Sequence, residues 1–255
     1  MDSPINVVVN DRIAVVTLNH PPVNAQTTEL MAALTAAFDQ FNDSPEVRAV
    51  VLTGAGKIFS AGADLKKRIK TNTLPGLRWG HLRNVRETFY AVMECQKPVI
   101  AAVNGPALGA GLVLAASCDI MIASENANFA LPEIDVGLMG GARHAMEIFG
   151  RSLVRRMVLT GYRVPATELY RLGIIEACTA PDDLMPSALQ MAAEIAKKSA
   201  FAVRTAKRTL GVIDNLSLRD GYRFEQSMTA EVAFHKDSKE SMGAFVEKRA
   251  AVYDD

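Results

Sequence analysis

Residues 97–119 read KPVIAAVNGPALGAGLVLAASCD. Val99, Ile100, Ala101, Ala102 and Val103 form a strand-like run, and Asn104-Gly105-Pro106 is a turn signal. Ala107-Leu108-Gly109-Ala110-Gly111 then leads into an apolar helical run from Leu112 to Ala116. Small residues at a strand-to-helix junction let another group approach the backbone closely. The first N–H groups of a helix lack intrahelical partners, and the dipole there favours negative charge. An anion, or an oxygen becoming one, fits such a place. Tight helix–sheet packing would use the same glycines, so this stretch alone leaves both readings open.

A second small-residue loop, TGAGKIFSAGADL at 53–65, follows the buried-strand run Ala49-Val50-Val51-Leu52 and again leads toward a helix. It lacks the GxxxxGK[ST] spacing of a phosphate loop. Two such loops could aim two backbone N–H groups at one point, which is what an oxyanion hole needs.

Composition narrows the class. With 255 residues, one α/β domain with an appendage is the natural expectation. Lys+Arg and Asp+Glu both number 28, which argues against a nucleic-acid or membrane-surface partner. Cys95, Cys118 and Cys178 show no metal-ligand spacing and are expected as reduced core thiols. No apolar run is long enough to span a bilayer, and MDSPINVVVN lacks the pattern of a signal peptide. A cytoplasmic location is the expectation.

Along the chain, Val7 to Val9 and Ile13 to Leu18 predict a hairpin about Asn10-Asp11. Leu30, Leu34, Phe38 and Phe41 share one helical face over 27–42, with Thr27 or Thr28 as a cap. Strand, helix, strand is the crossover unit of a parallel sheet. Residues 66–83 look basic and irregular, either a solvated segment or the wall of a pocket, and a helix is expected over 84–95. Strands are expected at 119–123, 127–130 and 173–175, with a short helix at 165–172. From residue 186 helix follows helix: 186–199, 201–213, 217–234 and 238–247. This divides the chain into an α/β core, 1–195, and a C-terminal helical, oligomerising part, 196–255.

Glu133, in ALPEIDVGL, stands beside a proline among apolar residues. A carboxylate in apolar surroundings has a raised pKa suited to proton transfer. An exposed loop glutamate would have the same sequence context.

These motifs in combination, FSAGADL, PVIAAVNGPALGAGLVLAASCDI and FALPEIDVGL, resemble the enoyl-CoA hydratase/isomerase family, or crotonase superfamily. The likeness runs from VTLNHPPVNA to the closing AFVEKR. It implies an α/β spiral of repeated ββα units with a C-terminal helical part, assembled as a homotrimer or dimer of trimers. It implies an acyl-CoA substrate and no cofactor or metal, coenzyme A being part of the substrate. By the same resemblance, the backbone N–H groups of Ala63 and Ala110 hold the thioester oxygen, and Glu133 moves protons. Ala61, Gly62, Asp64 and Gly109 would line the substrate, and Lys57 and Lys248 would approach the coenzyme A phosphates, although ordinary solvated lysines would look the same.

The departure from the pattern is Val113, which stands where hydratases carry a second glutamate. A lone Glu133 can still take a proton from one carbon and return it to another. Asp135 and His144 are candidates for a second acid or base: Asp135 by proximity, His144 because imidazole titrates near neutrality. His144 lies in LMGGARHAMEIFG, which is shorter than the family segment, and a structural histidine is the plainer reading. The expected activity is hydration or double-bond isomerisation of an enoyl-CoA. The alternatives are an acyl-CoA hydrolase, lyase or decarboxylase on the same fold, or a non-catalytic acyl-CoA binder.

Overall fold

The computed structural model describes residues 3–65 and 75–253. The chain opens with β1 (Ile5–Asn10) and β2 (Ile13–Leu18), paired antiparallel with Val7 opposite Val16. Asp11 and Arg12 both have positive φ, 49° and 64°, the twist that a two-residue hairpin turn requires. Helix α1 (Thr28–Asp43) carries the chain back, and β3 (Ala49–Gly54) then lies parallel to β2. Helix α2 (Leu77–Met93) leads to β4 (Val99–Val103), and α3 (Ala110–Ala116) leads to β6 (Ile120–Ser124). With β9 (Ala177–Thr179) these strands form one six-stranded sheet, in the order β1-β2-β3-β4-β6-β9. A smaller sheet joins β5 (Ala107–Leu108), β7 (Asn128–Ala130) and β8 (Val164–Pro165). The chain thus alternates between sheets, β4 to β5 to α3, as a spiral of ββα units does.

Every residue of β3 and β4 is buried, so they read as unbroken apolar runs rather than alternating ones. Their side chains still alternate in direction. Val50, Leu52, Val99 and Ala101 join the main core with Phe38 of α1 and Phe89 of α2. Ala49, Val51, Ile100 and Ala102 face the other way, onto Leu184, Ala188 and Ala192 of α7 (Leu184–Ala196). The remaining helices, α8 (Ala200–Ile213), α9 (Leu218–Phe234) and α10 (Lys236–Glu247), follow in the expected order. Lys207 of α8 pins this part to the sheet: its Nζ lies 2.7 Å from Asp119 Oδ2 and 3.0 Å from the Lys97 carbonyl. The same Asp119 oxygen accepts the N–H of Val99, at the start of β4. Burial pushes the Asp119 carboxyl up, against the pull of Lys207. All three cysteines are free, and burial raises each thiol.

Three expectations need correction. Helix α2 starts at Leu77 rather than 84, because Pro75-Gly76 forms the turn before it and Gly76 adopts φ 81°. Its first turns are exposed, Leu77 at 46% and Trp79 at 70%, so they carry no apolar stripe to read. The pocket-wall reading of 66–83 falls partly outside the described residues, at 66–74. No strand forms at 173–175. Helix α6 (Ala166–Arg171) instead ends in a Schellman cap, with Gly173 at φ 69° donating to the Tyr170 carbonyl and Ile174 to that of Leu169. The strand begins at Ala177, opposite Ile122. Helices α4 (Ala142–Ile148) and α5 (Arg151–Thr160) occupy a stretch given no helix from sequence. They start after Gly141 and Gly150, and α5 buries Val154 and Met157.

Thr27 caps α1: its Oγ1 accepts the Leu30 N–H at 3.2 Å, and the residue is buried. Thr27→Ala should cost about 1 kcal/mol, while Thr27→Ser should keep the acceptor and most of the stability. Urea denaturation measures both, and equal midpoints for the two variants would show that the hydroxyl does not cap the helix.

Candidate active site

The first small-residue loop, 54–64, is held from three sides. Asn24 is buried and left-handed at φ 50°; its Nδ2 donates to the carbonyls of Ala55 and Ile58, at 3.0 and 2.8 Å. Ser60 Oγ donates to the Asn24 carbonyl at 2.8 Å and accepts the Gly62 N–H at 3.2 Å. The Gln26 N–H meets the Gly62 carbonyl at 2.8 Å, and Gln26 pairs with Ala63 in a parallel bridge.

The second loop is stitched to the first. The Ser60 N–H donates to the Pro106 carbonyl at 3.2 Å, and its carbonyl accepts the Leu108 N–H at 2.9 Å. Asn104 Oδ1 accepts the Gly54 N–H, and its Nδ2 donates to the Gly56 carbonyl. Gln26 Nε2 reaches the Ala110 carbonyl at 2.9 Å. The contact is close enough that side chains would obstruct it. A Cβ on Gly62 would lie 3.1 Å from the Ala110 nitrogen, and one on Gly111 would collide with the Ser60 carbonyl. Gly62, the neighbour of Ala63, therefore packs directly on the backbone of Ala110. Ala110 opens α3, where its N–H has no intrahelical acceptor.

Glu133 joins them. It sits in a 3₁₀ turn, Pro132–Val136, after β7. Its carboxylate lies over Gly109: a Cβ there would strike Oε1 and sit 3.2 Å from Cδ. Gly109 has φ 53°, and its N–H is tied to the Ala130 carbonyl at 2.8 Å, so this backbone is fixed. Glu133 thus stands beside the peptide that carries the Ala110 N–H. Asp135 does not join them. A 3₁₀ turn has three residues per turn, which sends Asp135 to another face, its carboxylate against Gly161. Val113 is buried, with Cγ2 against Gly141; Gly140 beside it faces Glu133 Oε1. An apolar side chain therefore fills a slot next to the acid.

Of the remaining candidates, Ala61, Gly62 and Asp64 follow Ser60 in the first loop, and Lys57 is exposed upstream in it. Lys248 is exposed at the left-handed C-cap of α10. Among the described residues, no group of three His, Cys, Asp or Glu could hold a metal. Asn24 and Gln26 went unrecognised from sequence. Their one signal was two polar residues between a proline break and a helix cap, in a segment with little else to bury.

His144 lies on α4, edge-on to Phe89 with ring centroids 5.6 Å apart. Burial holds its pKa below 6.5, and Arg143 adds to the shift. The unfolded chain therefore binds this proton more readily, so the folded state loses stability as pH falls through about 6.5 toward the lower folded value. His144→Gln should flatten the fall in melting temperature between pH 7 and pH 5, whatever its absolute stability. An unchanged slope would mean that His144 is not held neutral by the fold.

The family model described as enoyl-CoA hydratase/isomerase matches residues 9–255. The putative enoyl-CoA hydratase/isomerase YngF of Bacillus subtilis is 38% identical over 99% of this chain and 98% of its own length. A Mycobacterium tuberculosis relative, named as a methyl-dioxo-hexahydro-indene-carboxyl-CoA hydrolase, is 36% identical over 92% of this chain and 95% of its own. The crystal structure of an enoyl-CoA hydratase from Bacillus anthracis superposes with a TM-score of 0.91, at 32% identity and 98% coverage of both chains. With these likenesses spanning both of its sheets and its C-terminal helices, this chain belongs to the enoyl-CoA hydratase/isomerase family.

Proposed function

We propose that this chain is an acyl-CoA-processing enzyme that moves the double bond of an enoyl-CoA more readily than it adds water to one. The observation that carries this reading is the Glu133 carboxylate over Gly109, beside the Ala110 N–H, with no second carboxylate at Val113. In the proposed reaction the N–H groups of Ala63 and Ala110 donate to the thioester oxygen of a 3-enoyl-CoA. Glu133 takes a proton from C2, the C–H pair enters the π system, and the oxygen gains enolate charge. The protonated Glu133 then returns its proton to C4, leaving the double bond between C2 and C3. Each oxyanion donor is worth on the order of 2.7–4 kcal/mol in such a transition state. The residues proposed to line the substrate are Ala61, Gly62, Asp64 and Gly109, with Lys57 and Lys248 toward the coenzyme A phosphates. No cofactor is called for beyond the coenzyme A of the substrate, and a cytoplasmic location fits this reading. Among the described residues no helix is long and apolar enough to cross a membrane.

Glu133→Gln keeps the shape and removes the proton carrier, so kcat should fall by about 10²–10⁴-fold with KM little changed. Full turnover in that variant would remove Glu133 from the chemistry. Val113→Glu places a carboxylate in the slot against Gly141 and should raise hydration of a 2-enoyl-CoA relative to isomerisation. Circular dichroism must first show that the variant folds, since burying an acid is destabilising. A wild type that hydrates crotonyl-CoA with no detectable isomerisation would overturn the single-carboxylate reading.

The hydrolase name of the mycobacterial relative favours one second reading, thioester cleavage with His144 as the base. Release of free coenzyme A from saturated acyl-CoAs would identify it. We also infer a homotrimer or dimer of trimers. Its support is the apolar surface left on α9 and α10, with Leu218, Phe234 and Phe245 more than four-fifths exposed. Light scattering should give three or six times the 27.5 kDa chain mass, and a monomer at micromolar concentration would refute it.

A further inference from the structure

The outermost strand of the six-stranded sheet is unprotected. β1, INVVVN, ends the strand order, so it has β2 on one side only. Past Ile5 every residue of β1 is exposed, with Val7, Val8 and Val9 at 38, 44 and 43%. Consecutive strand residues point to opposite faces, so neither face is covered there. Among the described residues, no backbone hydrogen bond reaches the outer side of Val7 or Val9. Outermost strands commonly carry a lysine, a proline or a bulge that blocks pairing with another chain. β1 has none of these: residues 5–10 hold no charge and no proline, and the register runs unbroken from Ile5 opposite Leu18 to Asn10 opposite Ile13.

The hairpin decides which backbone groups face outward. In an antiparallel pair, residues alternate between exchanging both N–H and C=O bonds with their partner and turning those groups away. The two-residue turn makes Asn10 and Ile13 an exchanging pair. At the other end, Asn19 donates its N–H to the Pro4 carbonyl at 2.8 Å, which fixes the same parity. Asn6, Val8 and Asn10 therefore bond to β2, while Val7 and Val9 hold their N–H and C=O groups outward. Residues 6–10 read NVVVN, the same in both directions. A second β1 laid antiparallel about Val8 thus meets its own complement: Val7 opposite Val9, Asn6 opposite Asn10, Val8 opposite Val8. Val7 and Val9 are the residues with outward groups, so both of their pairs can exchange bonds. Valine meets valine on each face, amide meets amide, and no like charges are opposed.

We propose that β1 docks a second copy of this chain, continuing the six-stranded sheet across a two-fold axis at Val8. The self-complementary sequence selects a copy over an unrelated extended peptide. A two-fold contact consumes the free side of both strands, so the pairing closes at two. Residues 6–10 are far fewer than the roughly 20–30 residues a side of a standard interface, so the contact between lone chains is reversible. The pairing does not depend on the trimer inferred above: it makes a dimer of a monomer and joins one trimer to another. It is equally independent of the proposed reaction.

The test is cysteine trapping in the full chain. Val8 opposite Val8 is a pair whose backbone bonds face away from each other, with Cα atoms about 4.5 Å apart, a separation that a disulfide spans. Under oxidised glutathione, Val8→Cys should run as a two-chain species on a non-reducing gel and return to one chain with reductant. Val7→Cys lies opposite Val9 of the copy, so it should stay a single chain. Wild type should too, since Cys95 is buried and Cys118 and Cys178 are partly buried. Val8→Lys sets like charges face to face on the axis, at an exposed position that leaves the core intact. Light scattering at submillimolar concentration should give wild type twice the mass of this variant, as two chains against one or six against three. Two against one keeps this proposal and removes the trimer, whereas three chains for both removes this proposal and keeps the trimer. No two-chain species from Val8→Cys, equal cross-linking of both cysteine variants, or equal masses for wild type and Val8→Lys would overturn the proposal.

Discussion

Both loops of the candidate site depend on one residue, Ser60. Its N–H and carbonyl pair with residues 106 and 108, its hydroxyl donates to Asn24, and the same oxygen receives the Gly62 N–H. Ser60 is completely buried, so each of these bonds replaces water that cannot reach it. Two loops that follow different strands are thereby locked in one register. The small residues around Ser60 follow from that closeness. Gly111 has no room for a side chain because the Ser60 carbonyl occupies the space, and Gly62 has none because Leu108 and Ala110 do. The glycines that suggested an anion site and those that suggested tight packing are the same glycines, because here the packing makes the site.

This arrangement places demands on the backbone rather than on side chains, which explains what could be read in advance. Helix α1 was legible because Leu30, Leu34 and Phe38 repeat at helical spacing and Thr27 caps them. The strands β3 and β4 were legible because a sheet covered by helices on both faces needs continuous apolar runs. Asn24 and Gln26 were not legible as part of the site. Gln26 acts on Ala110, 84 residues away, and Asn24 on carbonyls 31 and 34 residues away. No local pattern encodes such a partner. The strand expected at 173–175 failed for the opposite reason. Gly173-Ile174-Ile175 has strand composition, but the glycine takes the left-handed conformation that closes α6, and the next two residues serve that cap.

The difference between the two edges of the sheet follows from parallel pairing. Strands that run the same way collect their C-terminal loops on one edge and their entry residues on the other. In this chain the first edge is built from glycine and alanine, and the second from arginine and lysine. Backbone N–H groups serve a charge that appears only during a reaction, since they are fixed in place and carry no counter-ion.

The local geometry of one turn also decides how many acids the site holds. Glu133 and Asp135 would share a face if the segment were extended. Pro132 starts a 3₁₀ turn instead, and Gly137 closes it with left-handed φ and an N–H to the Ile134 carbonyl. Two residues of that turn span about two-thirds of a revolution, so a carboxylate over Gly109 sends its neighbour toward Gly161. A second acid beside Glu133 would have to come from another element. The adjacent position on α3 is Val113, whose methyl group packs on Gly141 and leaves that side of the slot apolar. A single carboxylate can move a proton between two carbons of one substrate with no other partner. Activating a water while protonating a carbon asks one carboxylate to hold two positions at once, and the turn at 132–136 supplies only one.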